Sequence, residues 1–150
     1  MRTSMIVALA CILVAARVGL GEGKDDKDIP PPEAAETQAD ALKLARAADL
    51  PAMAKADRAV IEAVRGGKKV TVTDKALDKL RAALVVKDTP PSGGKTAWTI
   101  TFYRGEKVVR KVWVYSYGEW GVERPKGASW TLGTNAALAE LIERLVQGAG

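Results

Sequence analysis

Residues 97–117 read AWTITFYRGEKVVRKVWVYSY. Trp98, Ile100 and Phe102 alternate with Thr99, Thr101 and Tyr103, so the two sets point to opposite faces of a strand. Arg104-Gly105-Glu106-Lys107 predicts a turn. Val108 to Tyr117 then returns as an antiparallel partner, with Val112 and Val114 on one face and Lys111, Trp113 and Tyr115 on the other. The segment is therefore a hairpin with one apolar face to bury.

Working outward, Gly118 predicts another turn, Glu119–Glu123 a short strand, and Trp130-Thr131-Leu132 is a candidate last strand. Upstream, Val70-Thr71-Val72 is β-branched and alternating. Residues 57–65 (DRAVIEAVR) admit two readings. Ala52, Ala56, Ala59, Val60, Ala63 and Val64 would line one helical face, whereas Gly66-Gly67 between two short runs signals a hairpin. The hairpin is the reading adopted. Thr73-Asp74 predicts a helix start, and Leu77, Leu80 and Leu84 form its apolar stripe. Gly133-Thr134-Asn135 predicts the start of a final helix striped by Leu138, Leu141, Ile142 and Leu145. The fold class is α+β: an antiparallel β-meander with two amphipathic helices on one face, plus an N-terminal Ala-rich helix.

That first helix is expected over residues 33–50, peripheral, with a thin stripe of Ala41, Leu44 and Ala48; Pro51 ends it or opens a new segment. Residues 22–32 (EGKDDKDIPPP) are charged and Pro-rich, and are expected to be a disordered spacer. Residues 51–150 make up the α+β domain. Before the spacer, Arg2 precedes twelve residues without a polar side chain (Met5–Ala16), and small residues follow up to Gly21. This predicts a secretory signal peptide over residues 1–21, with Ala16 as the alternative cleavage point. Arg17 ends the run well short of the ~20 residues a membrane span needs. The expected location is therefore periplasmic or secreted. Cys11, the single cysteine, lies in a poor lipid-attachment context and is expected to leave with the signal.

The segment from about Arg58 to Val146 resembles small exported bacterial α+β domains of uncharacterised function. The resemblance rests on residues 69–74 (KVTVTD) leading into a Leu-striped helix, on residues 98–105 and 108–115, and on the Leu-rich terminal helix. It implies neither an activity nor a site residue.

The formal charge is +5. Residues 22–40 hold seven acids and two lysines, net −5, which leaves +8 on residues 41–150. A basic body favours anionic partners, although its cations are interspersed with acids. There is no histidine, and removal of Cys11 would leave no thiol. A His-dependent triad, a thiol nucleophile and the usual zinc sites are excluded. No cofactor or metal signature is present, and the expectation is a non-enzyme. Glu119 and Glu123 are the one carboxylate pair that a hydrolase reading could use; surface acids at strand ends are the commoner explanation. All four tryptophans, all three tyrosines and the single phenylalanine fall within residues 98–130. If helices cover Trp98, Ile100 and Phe102, then Tyr103, Lys111, Trp113 and Tyr115 lie on the open face as candidate binding residues for an envelope protein or an anionic polymer, with nucleic acid disfavoured. Cross-strand pairing that only stabilises the sheet is the alternative. The expected function is an exported interaction module, against a purely structural envelope domain.

Overall fold

The computed structural model of the chain describes residues 34–125 and 129–148. The signal peptide, Cys11 and the spacer at 22–32 lie outside the described residues. An antiparallel sheet of six strands carries the fold, in the order β2-β1-β3-β4-β5-β6. β1 (Arg58–Ala63) and β2 (Lys69–Val72) form the first hairpin; β3 (Thr96–Arg104) and β4 (Lys107–Tyr115) form the second. β5 (Glu119–Val122) and β6 (Gly133–Thr134) complete the sheet. Residues 57–65 thus settle as strand: Ile61 pairs with both Val70 and Ile100. The last strand is shorter and later than Trp130–Leu132. Leu132 donates to the Trp120 carbonyl at 2.8 Å, but the ladder proper is Gly133–Thr134.

Alternation sets the two faces as the apolar pattern implies. Ile61, Val72, Ile100, Phe102, Val112, Val114, Trp120 and Val122 are buried, and all belong to one core. Two irregularities interrupt the β3–β4 register, between Thr96 and Trp98 and between Phe102 and Tyr103. At the first, Thr96 pairs with Tyr115 and Trp98 with Val114, so Ala97 is the extra residue of a bulge. At the second, Val109 is the extra residue, which lets Val109 turn inward beside Arg110, itself on the inward face with Val112 and Val114.

Helix α3 (Asp74–Ala83) lies against β1, and α4 (Ala136–Gly148) against β2 and α3. In α3 the Leu77–Leu80–Leu84 stripe is buried. Thr73 is the N-cap, but its hydroxyl donates to the Asp74 carboxylate at 2.9 Å rather than capping a helix N–H, and Asp74 takes a positive φ of 50°. Asn135 does cap α4: its Oδ1 accepts from the Ala137 N–H at 3.1 Å. The α4 stripe is graded, with Leu138 and Ile142 fully buried and Leu141 and Leu145 half-buried. Ile142→Ala is therefore expected to cost about 2–5 kcal/mol, and Leu141→Ala clearly less. Urea denaturation of the two variants checks the order.

The N-terminal helical segment runs through α1 (Gln38–Leu44), a π-helical turn (Ala45–Asp49) and α2 (Leu50–Ala54). Thr37 caps it, its hydroxyl accepting from the Asp40 N–H at 3.1 Å. Pro51 lies in the first turn of α2, directly after the π-helical turn. Its inner side is Ala41, Leu42, Ala45, Ala48, Asp49, Ala52 and Met53. Ala41, Leu42, Ala45 and Met53 belong to the same core as the sheet. Small residues let the helix come close enough for α2 to contact β4. The three described helical elements that pack on the sheet thus cover the apolar face, and no described helix lies on the other face.

Candidate functional site

Tyr103, Lys111, Trp113 and Tyr115 lie together on the open face, since Lys111 pairs with Thr101, Trp113 with Thr99 and Tyr103 with Val108. They do not form one cluster. Tyr103 stands near the β3–β4 turn, where the Arg58 guanidinium stacks 4.5 Å from its ring centroid. Lys111 is bound at 3.0 Å by Glu123, just past the end of β5, so its charge is neutralised locally. Trp113 and Tyr115 do associate, with centroids 4.8 Å apart and planes tilted by 32°. The row continues to Tyr117, 5.8 Å beyond Tyr115. Tyr117 is 42% exposed. It was not among the residues expected at the site, and its place two residues after Tyr115 was the available signal.

The row is seated on glycine. Trp113 is directly opposite Gly121, and a Cβ at Gly121 would collide with the indole and with the Trp130 carbonyl. A Cβ at Gly94 would lie 2.6 Å from the Tyr117 hydroxyl oxygen and 2.7 Å from the Tyr115 ring. Trp113 and Tyr115 are consequently half-buried, each with one side against backbone. The indole N–H of Trp113 is buried and finds no acceptor among the described residues, so packing alone holds that ring.

Next to the row lies a carboxylate that the sequence reading places at the surface. Glu119 is only 1% exposed. Its Oε1 accepts from the Thr131 hydroxyl at 2.5 Å, and its Oε2 from the Tyr117 hydroxyl at 3.1 Å and from the Ser92 hydroxyl. Burial by itself would raise this carboxyl. The hydroxyls of Ser92, Thr131 and Tyr117 outweigh burial and hold it below its usual value. Tyr117 moves the other way. Its bond to Ser92 favours the phenolate, but burial and the Glu119 carboxylate prevail and raise it. Glu119 is thus a weak base saturated with donors, and Glu123 is held by Lys111. The chemistry on offer is a clasp: Glu119 ties the 85–95 loop, through Ser92, to Thr131 and to the end of the aromatic row.

A testable consequence concerns acid. Because the folded-state value lies below the ordinary 4.5, the stabilisation is complete above 4.5 and is lost as pH falls through the folded value. Glu119→Gln is expected to cost about 1–3 kcal/mol at neutral pH. The gap to wild type should narrow at pH 3, as denaturation curves at the two pH values would show.

Among the described residues no group of three or more His, Cys, Asp or Glu side chains could hold a metal ion. No helix among them is long and apolar enough to cross a membrane. No protein-family model matches the chain, and neither a curated protein nor a solved structure matches it significantly.

Proposed function

We propose that this chain is an exported, non-catalytic binding module whose open sheet face takes a polysaccharide chain along the Trp113–Tyr115–Tyr117 row. The observation that carries the reading is the row itself: three aromatic rings in sequence, along β4 and into the turn after it, on the sheet face that no described helix covers. Half-exposed rings stack on sugar faces, and hydroxyls serve the sugar's polar edge. Thr99 and Thr101 supply such hydroxyls on the same face, opposite Trp113 and Lys111. The face is too poor in aliphatic side chains for a large obligate protein interface. Its cations are also engaged: Lys111 by Glu123, and Lys69 by Glu62 at 3.2 Å. Stacking, rather than charge, is therefore the source of affinity. Export rests on the signal-like residues 1–21.

A second reading has its own support. Gly121 and Gly94 are shaped around the rings, which suits a purely structural domain whose aromatic row stabilises the sheet. Titration separates the two. Oligomers of N-acetylglucosamine and of galacturonate are added to the ¹⁵N-labelled full chain. Saturable shifts of the Trp113 indole signal with either oligomer support the binding module. Silence of that signal with both supports the structural domain.

A further inference from the structure

We infer that the protein has a second, separate site, at the end of the sheet, for a small organic anion. A cavity of about 380 Å³ is lined by Ala63, Arg65, Lys95, Thr96, Trp98 and Ser116, together with the bulged Ala97. Its size falls within the ~300–1,000 Å³ typical of small-molecule sites. It forms where β1 runs out, β3 begins and the chain leaves β4. The bulge at Ala97 is the local cause, because an extra residue bends the strand and re-aims its neighbours. The Ala97 carbonyl accepts from the Val64 N–H at 2.9 Å, which fixes the start of the β1–β2 turn that carries Arg65.

The lining has a consistent chemistry. Trp98, Ala63 and Ala97 form an apolar wall, and Thr96 and Ser116 provide hydroxyls. Arg65 and Lys95 are the two charged side chains of the lining, both cations and both exposed. The acid nearest to Arg65 in the hairpin, Glu62, is bound by Lys69. Neither Arg65 nor Lys95 has an ion-pair partner among the described residues. Some cations of the fold are matched with acids, such as Arg58 with Asp57 and Glu106, Arg81 with Asp78, Lys111 with Glu123 and Arg124 with Asp49; what sets Arg65 and Lys95 apart is that both line one cavity. Two unmatched cations and two hydroxyls around an apolar wall select a carboxylate, phosphate or sulfate carried on a compact apolar body. The pocket shares no residue with the Trp113–Tyr115–Tyr117 row, so this inference stands or falls separately from the polysaccharide reading.

Three probes with one ring and different head groups test it: benzoate, phenyl phosphate and neutral benzamide, each titrated into the ¹⁵N-labelled full chain. The expected result is a saturable shift of the Trp98 indole and of the Thr96, Ala97 and Ser116 amides with benzoate or phenyl phosphate, and none with benzamide. Which anion binds more tightly identifies the head group. The double variant Arg65→Ser, Lys95→Ser should keep the wild-type spectrum elsewhere, since both side chains are exposed, and should bind at least about tenfold more weakly. Equal binding of benzamide, no shift with either anion, or an unchanged affinity in the double variant would overturn the assignment.

Discussion

Asp49→Ala is expected to destabilise the protein by about 3–5 kcal/mol, the cost of leaving buried charge without its partner. The Asp49 carboxylate is fully buried. Arg110 Nε reaches its Oδ1 at 2.7 Å. Arg124 grips both oxygens, Nη1 to Oδ1 at 3.1 Å and Nη2 to Oδ2 at 2.5 Å. The two arginine side chains are each only 3% exposed. Truncation at Asp49 removes the anion from between two desolvated guanidinium groups. The triad also joins the N-terminal helical segment to β4 and to the chain leaving β5, so the loss should be cooperative. Replacing all three by apolar residues (Asp49→Leu, Arg110→Met, Arg124→Met) is expected to recover most of the stability, because the desolvation cost of the charges disappears with them. Urea denaturation of the single and triple variants measures both effects. A single variant within about 1 kcal/mol of wild type would show that the triad does not hold the helix to the sheet.

The second large effect is expected at Trp120. Its side chain is fully buried, opposite Val114 in the sheet, and its indole N–H donates to the Val85 carbonyl at 3.3 Å. Gly133 leaves room for it: a Cβ there would lie 2.8 Å from the indole nitrogen. Trp120→Ala should cost about 3–5 kcal/mol through the cavity left behind. That is a large part of the ~5–15 kcal/mol a domain has in total. The melting temperature should fall by more than about 10 °C. Trp120→Phe, which keeps the ring packing and loses the hydrogen bond, should cost much less. Similar losses in the two variants would mean that the hydrogen bond to Val85, rather than the filled volume, anchors the loop.

The contrast between these two residues shows what was legible beforehand. The strands and their faces are local properties. Trp98, Ile100 and Phe102 alternate with polar neighbours, and a period of two admits no other half-buried arrangement. The assignment of Trp113 and Tyr115 to the open face follows from the same period. Asp49, Arg110 and Arg124 meet across 61 and 75 residues of chain, and nothing in the immediate sequence of Asp49 or Arg124 distinguishes them from surface charges. Val109 turns inward only because of the bulge there, a register irregularity that no periodicity encodes, whereas Arg110 shares the inward face with Val112 and Val114, opposite Phe102. Asp49 closes a π-helical turn, where the Leu50 N–H donates back to the Ala45 carbonyl. Glu119 was similarly hidden. Its burial depends on the 85–95 loop bringing Ser92 to it and on the segment after β5 bringing Thr131. Both are tertiary events. The half-burial of Leu141 has the same origin, since the stripe indicates the inward side of α4 but not how far each position is covered.

The central claim is that the open face binds through its aromatic row, and Trp113→Ala tests it most directly. Trp113 packs on Gly121 and Tyr115 but lies outside the core, so its loss should cost about 1–2 kcal/mol, well under a core tryptophan. The variant should remain folded. The measurement is the affinity of this one variant for the N-acetylglucosamine and galacturonate oligomers, read from the Tyr115 and Tyr117 signals, beside its denaturation curve. The account predicts a folded protein whose affinity for the oligomer bound by wild type falls at least about tenfold, as expected when a stacking ring at the centre of a contact is removed. A folded variant that binds that oligomer as tightly as wild type would contradict it.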